Sequence, residues 1–334
     1  MSTRAFITGA SGLSLTTEER EFLRAERPWG FILFKRNVDN PLQVARLVQE
    51  FREVVGDGDA PVLIDQEGGR VQHLPVYPAG ATFGALYDRD QAAGLKAARL
   101  SAQLIAADLA DLGITVDCLP LADVPVPGAD AGIGDRAYGT ATHKVAAIAR
   151  AVAEGLEQGG VLPVLKHIPG HGRATADTHH RLPVVDTLKD ELEAVDFAAF
   201  RLLSDLPMAM TAHVVFSAID ATQPATTSAT IIERVIRGSI GFQGLLMSDD
   251  VSMNALSGSI AQRTRDIVAA GCDMVLHCNG RLDEMRQVAG ETPELSGAAL
   301  DRAKQALAAR KPPQPFDREA AWAELDALIG AASA

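Results

Sequence analysis

Residues 162–177 read LPVLKHIPGHGRATAD. A short apolar run ends abruptly in Lys166 and His167, and a stretch with glycine and proline follows without helical or strand periodicity. An apolar run that lacks polar alternation fits a strand buried on both faces, as in a parallel sheet. Glycine and proline directly after it mark a loop. The same order recurs along the chain, with runs at 5–8, 30–34, 61–65, 114–119, 162–167, 208–213, 244–248 and 273–277, each four to six residues long.

Amphipathic stretches lie between these runs. Thr16-Thr17-Glu18-Glu19 fits a capping box ahead of Phe22 and Leu23. Asn40-Pro41 supplies an N-cap and a first-turn proline, and Val44, Leu47, Val48, Phe51 and Val55 form one helical stripe. Leu100, Leu104 and Leu112 precede Gly113, a helix stop. Leu188, Leu192, Val195, Ala199 and Leu203 predict one helix after Thr187, and further helices are predicted at 140–158, 229–240, 259–271 and 281–289.

Eight strands alternating with eight helices predict an α/β fold, a single (β/α)8 TIM barrel. The alternative is a doubly wound open sheet, but Gly9-Ala10-Ser11-Gly12 after the first run does not make the G-x-G-x-x-G of a dinucleotide site. The barrel is predicted over 1–310. The proline-rich 311–315 then leads, within 311–334, to a last helix at 317–330 packed on its outside.

The formal charge is −12, and no basic stripe offsets it, which argues against nucleic acid and anionic membranes as partners. No N-terminal run is long enough for a signal h-region or a membrane span. Three cysteines, Cys118, Cys272 and Cys278, sit in apolar runs and read as reduced thiols of a cytoplasmic protein. A monomer without a cofactor is the default expectation.

In a TIM barrel the chemistry sits at the carboxyl ends of the strands. Polar residues do collect there: Lys35-Arg36-Asn37, Asp65-Gln66-Glu67, Lys166-His167, His213, Asp249-Asp250 and Asn279. Taken singly, each has a bland reading. Asp250 reads as the cap of a helix starting near Ser252, and Glu67 with Arg70 as a pair that holds its own loop. Their convergence on one rim is what favours a site.

In the loop after the fifth run, Asp177-Thr178-His179 places a carboxylate and an imidazole two residues apart. A carboxylate partner favours the imidazolium, which can hand its proton to a leaving group near neutral pH. His171, His179 and His180 are the alternative, as metal ligands. Against a metal, the first run, Phe6-Ile7-Thr8, carries no H-x-H, and no H-E-x-x-H occurs.

Taken together, KHIPGH at 166–171, Asp177-Thr178-His179 and Ser248-Asp249-Asp250 resemble the β-N-acetylhexosaminidases of glycoside hydrolase family 3, enzymes of bacterial cell-wall recycling. GFILFKRN at 30–37, DQEGGRVQ at 65–72, IGDRAYG at 133–139, TAHVV at 211–215 and AGCDM at 270–274 extend the likeness over about residues 13 to 290. The resemblance implies that Asp249 is the nucleophile and His179 the acid/base, with Asp177 as its partner. It implies that Asp65, Arg136, Lys166 and His167 hold hydroxyls of a non-reducing N-acetylglucosamine. His73 stands where the family usually has a sugar-contacting arginine, so His73 enters the binding set as a departure. The substrate implied is a small sugar or muropeptide, with GlcNAc-1,6-anhydro-muramyl peptide as first expectation. Three rivals remain: a metal-dependent barrel hydrolase, a GlcNAc phosphorylase of the same family, and a sugar-binding barrel without turnover.

Overall fold

The computed structural model describes residues 3–74, 76–175, 178 and 181–333. Its strands are β1 (Arg4–Thr8), β2 (Pro28–Leu33), β3 (Val62–Ile64), β4 (Val116–Asp117), β5 (Leu162–Ile168), β6 (Val184–Val185), β7 (Met208–Thr211), β8 (Val215–Phe216), β9 (Leu245–Asp250) and β10 (Met274–His277). All but β6 and β8 close one parallel barrel in the order β1-β10-β9-β7-β5-β4-β3-β2. The eight barrel strands fall on the eight apolar runs. Alternate residues do face opposite ways, as the pleat requires. Ala5 and Ile7 join Leu63, Val116, Val164 and Met247 inside the barrel, whereas Phe6 packs in the outer layer under the helices. Both layers are apolar, which is why the runs carry no polar alternation.

The helices are α1 (Thr17–Glu26), α2 (Pro41–Val55), α3 (Gly80–Arg89), α4 (Gln91–Asp111), α5 (Thr142–Gln158), α6 (Lys189–Ala194), α7 (Asp196–Arg201), α8 (Ile260–Ala270), α9 (Leu282–Glu291), α10 (Gly297–Ala308) and α11 (Arg318–Ser333), with a π-type helix at Ile231–Ser239. The caps form as the sequence predicts. The Thr16 side chain accepts from Glu19 N, and Glu19 Oε2 accepts from Thr16 N. Asn40 Oδ1 accepts from Gln43 N at 3.0 Å.

Two expectations change. The helix predicted after Thr187 is broken at Val195 into α6 and α7, where the buried Asp196 carboxylate accepts from Arg173 Nε at 2.6 Å. Helices α3 and α10 lie outside the predicted set; at α3, Gly80 and Gly84 weaken the helical signal. Both glycines lie against backbone: a Cβ at either would stand 2.1 Å from a carbonyl oxygen, that of Arg136 or Tyr138. The short strands β6 and β8 pair in parallel outside the barrel and tie the loop after β5 to the loop after β7.

Helix α11 packs on α4 and α3. Its Trp322 stacks on Tyr77, with ring centroids 5.3 Å apart. Tyr77 ends the loop that begins at Asp65: its hydroxyl donates to Asp108 at 2.6 Å, and its carbonyl accepts from Gly69 N at 2.9 Å. Trp322→Ala is therefore expected to lower stability by about 2 kcal/mol, from lost burial and stacking. Denaturant melts read this directly, and an unchanged midpoint would mean that α11 does not brace Tyr77.

Candidate active site

A cavity of about 280 Å³ opens at the carboxyl rim of the barrel. Asp65, His73, Arg136, Lys166, His167 and Asp249 all stand on its wall. The sequence separates them by up to 184 positions (249 − 65); the barrel brings their strand ends to one place. Asp177 and His179 lie outside the described residues. Thr178, between them in sequence, lines the same cavity, and its carbonyl accepts from Ala255 N at 3.1 Å.

Lys166, on β5, is sealed in the barrel mouth with only 2% of its side chain exposed. Its Nζ donates to Asp65 Oδ1 and reaches Glu67 Oε1, each at 2.6 Å. Glu67 in turn accepts from Arg136 through both oxygens, at 2.8 Å each. Burial works to raise the Glu67 carboxyl, but Lys166 and Arg136 override it and hold the group at about 2. Burial likewise opposes the charge on Lys166, and the Asp65 and Glu67 carboxylates more than restore it, raising its pKa. The network presents fixed donors and acceptors to the cavity.

This corrects the pairing of Glu67 with Arg70. Arg70 instead donates to Asp135 Oδ1 at 2.8 Å and to the carbonyls of Ala131, Gly132 and Ile133. Glu67 faces inward from the loop and meets cations 69 and 99 positions away (136 − 67 and 166 − 67), which no local spacing signals. Replacing Glu67 by glutamine leaves two buried cations short of a counter-charge. We expect a loss of about 3–5 kcal/mol at neutral pH. Because the folded pKa is depressed, this stability is present above about 4.5 and is lost as pH falls toward about 2. The gap between wild-type and variant melting temperatures should therefore narrow across that window; a constant gap would contradict the pairing.

Asp123 was not anticipated, since the rim after β4 shows no polar residue directly behind the apolar run. Its carboxylate is buried, accepts from His167 Nδ1 at 2.7 Å through Oδ2, and accepts from His171 N at 2.6 Å through Oδ1. Burial disfavours the charge on Asp123, yet His167 holds its pKa below the ordinary value. His171, also on the cavity wall, is pushed down to about 4 by burial and by His167, and so stays neutral near pH 7.

Asp249 stands near the end of β9, where its Oδ1 accepts from Asp250 N at 2.7 Å. Burial tends to raise its pKa, but the imidazoles of His213 and His167 and the Asp250 N–H bring it below the usual value. The carboxylate is ionised at neutral pH. Its neighbour Asp250 does not cap a helix at Ser252: the next helix starts at Ile260 with Ser259 as its cap. Asp250 Oδ1 accepts from Ser252 N and Cys278 N, and Oδ2 from Ser252 Oγ. It ties the end of β9 to that of β10. His213 holds the same corner, with Nδ1 2.8 Å from Thr226 Oγ1 and Nε2 3.0 Å from the Asp250 carbonyl.

The His73 backbone N–H donates to Gln66 Oε1 at 2.9 Å, and its ring packs edge-on to Phe34. Its Nε2 is buried at the cavity without a hydrogen-bond partner among the described residues. Burial lowers its pKa, so it offers the cavity a neutral imidazole where an arginine would offer a fixed cation. Among the described residues, no group of three or more His, Cys, Asp and Glu side chains is placed to hold a metal ion.

A parallel barrel whose carboxyl rim sets an ionised carboxylate beside an Asp, Lys, Arg and His array able to grip hydroxyls has the plan of a barrel glycosidase. The profile of the Glycosyl hydrolase family 3 N terminal domain matches residues 8–308. A Beta-hexosaminidase of Bordetella avium is 36% identical over 317 residues, covering 91% of this chain and 88% of that one. One of Alkalilimnicola ehrlichii is 38% identical over 281 residues, covering 81% and 79%. The crystal structure of NagZ from Neisseria gonorrhoeae in complex with N-trifluoroacetyl-D-glucosamine superposes with a TM-score of 0.86 at 31% identity, covering 100% of this chain and 99% of that one. The chain belongs to glycosyl hydrolase family 3, among its β-N-acetylhexosaminidases.

Proposed function

We propose that this β-N-acetylhexosaminidase releases non-reducing terminal β-linked N-acetylglucosamine with retention, through a covalent glycosyl-enzyme on Asp249. The observation that carries the reading is the ionised Asp249 carboxylate in one cavity with Asp65, Arg136, Lys166 and His167. These four grip the sugar hydroxyls and His73 adds a neutral contact. Asp249 attacks the anomeric carbon while His179, oriented by Asp177, gives its proton to the leaving oxygen. Water then attacks the same carbon from the vacated side and loses a proton to His179, and the bond to Asp249 breaks.

The family resemblance supports GlcNAc-1,6-anhydro-muramyl peptides as natural substrates and peptidoglycan recycling in the cytoplasm as the setting. No helix of the described residues is long and apolar enough to cross a membrane. We take residues 1–310 as the catalytic unit, acting as a monomer, with 311–334 as its appended helix.

The test is release of nitrophenol from its β-GlcNAc glycoside with chelator present. Turnover supports metal-independent hydrolysis, and its dependence on chelator would shift the reading to the metal hydrolase. Running the reaction with inorganic phosphate checks the product: free sugar is expected, and a sugar 1-phosphate would make the enzyme a phosphorylase.

A further inference from the structure

We propose that Asp123 is a positioning residue that couples the sugar-holding His167 to the loop leading toward His179. The inference deepens the functional reading above and rests on it.

Asp123 reaches this place through the strand register. Beyond β4 the chain continues alongside β5: Val164 N donates to the Leu119 carbonyl, Lys166 N to that of Pro120, and Ala122 N to that of Lys166. Asp123 is the next residue, and so comes to stand beside His167. One oxygen takes the ring of His167 and the other takes the backbone N–H of His171. A buried carboxylate needs such donors to offset its lost hydration. These donors come from β5 and from the loop that follows it.

The loop is then laid along the same segment. Val126 N donates to the Gly172 carbonyl at 3.2 Å, and Asp130 N to that of Ala174 at 2.8 Å. Gly172 lies so close that a Cβ would stand 2.1 Å from the Val124 carbonyl oxygen. Residues 123–130 thus form the bed on which 171–174 rest, and Asp123 is its first contact. The hydrogen bond at Nδ1 also fixes which His167 nitrogen carries the proton, and leaves Nε2 as the acceptor for a sugar hydroxyl while the ring is neutral.

Asp123→Asn keeps the shape but supplies one acceptor where two are needed. If the amide oxygen stays on His167, its NH2 opposes the His171 N–H; if it turns, its NH2 faces His167 Nδ1 and forces the ring into the Nε2–H tautomer, which cannot accept from the sugar at Nε2. Steady-state kinetics of the full chain on aryl and alkyl β-GlcNAc glycosides would compare Asp123→Asn, His167→Ala and the double variant. We expect Asp123→Asn to raise KM roughly tenfold or more, the worth of one charge-assisted hydrogen bond. In the His167→Ala background its KM effect should vanish, while its kcat loss on the alkyl glycoside persists through the loop. Additive KM losses, or kinetics like wild type, would overturn the proposal.

Should the variant fail to fold, nitrogen NMR of wild-type His167 at neutral pH provides a second test: protonated Nδ1 is expected, and the Nε2–H tautomer would overturn it. Titration with N-acetylglucosamine reads the sugar-holding half without turnover. Wild-type inactivity on both glycosides counts against the functional reading; wild-type turnover with an unaffected Asp123→Asn counts against Asp123 alone.

Discussion

Asp249→Ala is expected to lower kcat by roughly 10⁴-fold or more, the scale on which covalent catalysts lose rate when their nucleophile is removed. Among the described residues, the other carboxylates at the cavity are committed elsewhere. Asp250 is spent on Ser252 and Cys278, Asp65 on Lys166, and Asp123 is sealed beneath His167. Asp249 stands on the cavity wall with its pKa held below the ordinary range, as a nucleophile working at neutral pH needs. The alanine variant leaves the Lys166–Glu67–Arg136 network intact, so affinity for N-acetylglucosamine should change by only a few fold. Single-turnover experiments on the aryl glycoside, with binding measured by titration, separate the two effects. A kcat within tenfold of wild type would remove Asp249 from the nucleophile role. A rate loss accompanied by lost binding would instead mark it as a residue that only holds the sugar.

The barrel was legible because a parallel strand buried on both faces leaves an unmistakable run, and eight of them recur between helical stretches. Helix α3 and the α6–α7 break were not legible, because both are set by distant partners. Gly80 and Gly84 are there for close approach to the backbone at 136 and 138, and Asp196 answers to Arg173. Local propensity is a weak prior wherever tertiary contacts decide.

The site was legible to the extent that its residues sit directly behind a strand. Asp65 does, while Lys166, His167 and Asp249 fall in the last residues of theirs, and the rim rule of the fold picks all four out. Asp123 does not, since it lies six residues past Asp117 and reaches the site only because 119–122 pair on along β5. Glu67 is visible in the sequence, but its partner is not. Spacing within a loop suggested Arg70, whereas side-chain direction gave Glu67 to Arg136 and Lys166. In the sequence His73 is only a departure from a pattern; the structure adds that its Nε2 meets the cavity with no partner among the described residues.

The second large effect is expected at His179, and its diagnostic is the leaving group. A general acid matters in proportion to how badly the departing oxygen needs a proton. His179→Ala should therefore cost on the order of 10²–10⁴ in kcat/KM for an alkyl or sugar aglycone. A nitrophenolate leaves without help, so the same variant should lose much less on the aryl glycoside. Across a series of aryl glycosides, the dependence of rate on aglycone pKa should be steeper in the variant than in wild type. Asp177→Asn should lie between the two if it acts by orienting and stabilising the imidazolium. Thr178, next to His179 in sequence, lines the cavity with its carbonyl held by Ala255 N, and among the described residues of the loop after β5 His171 is the other candidate acid on that wall. His171 is a poor rival, because a group held at about 4 is already deprotonated where the acid must work. Equal losses for good and poor leaving groups would show that His179 does not donate the proton. Full activity of His179→Ala on the alkyl glycoside would move the acid to another residue, and the leaving-group series applied to a His171 variant would then decide whether it is that one.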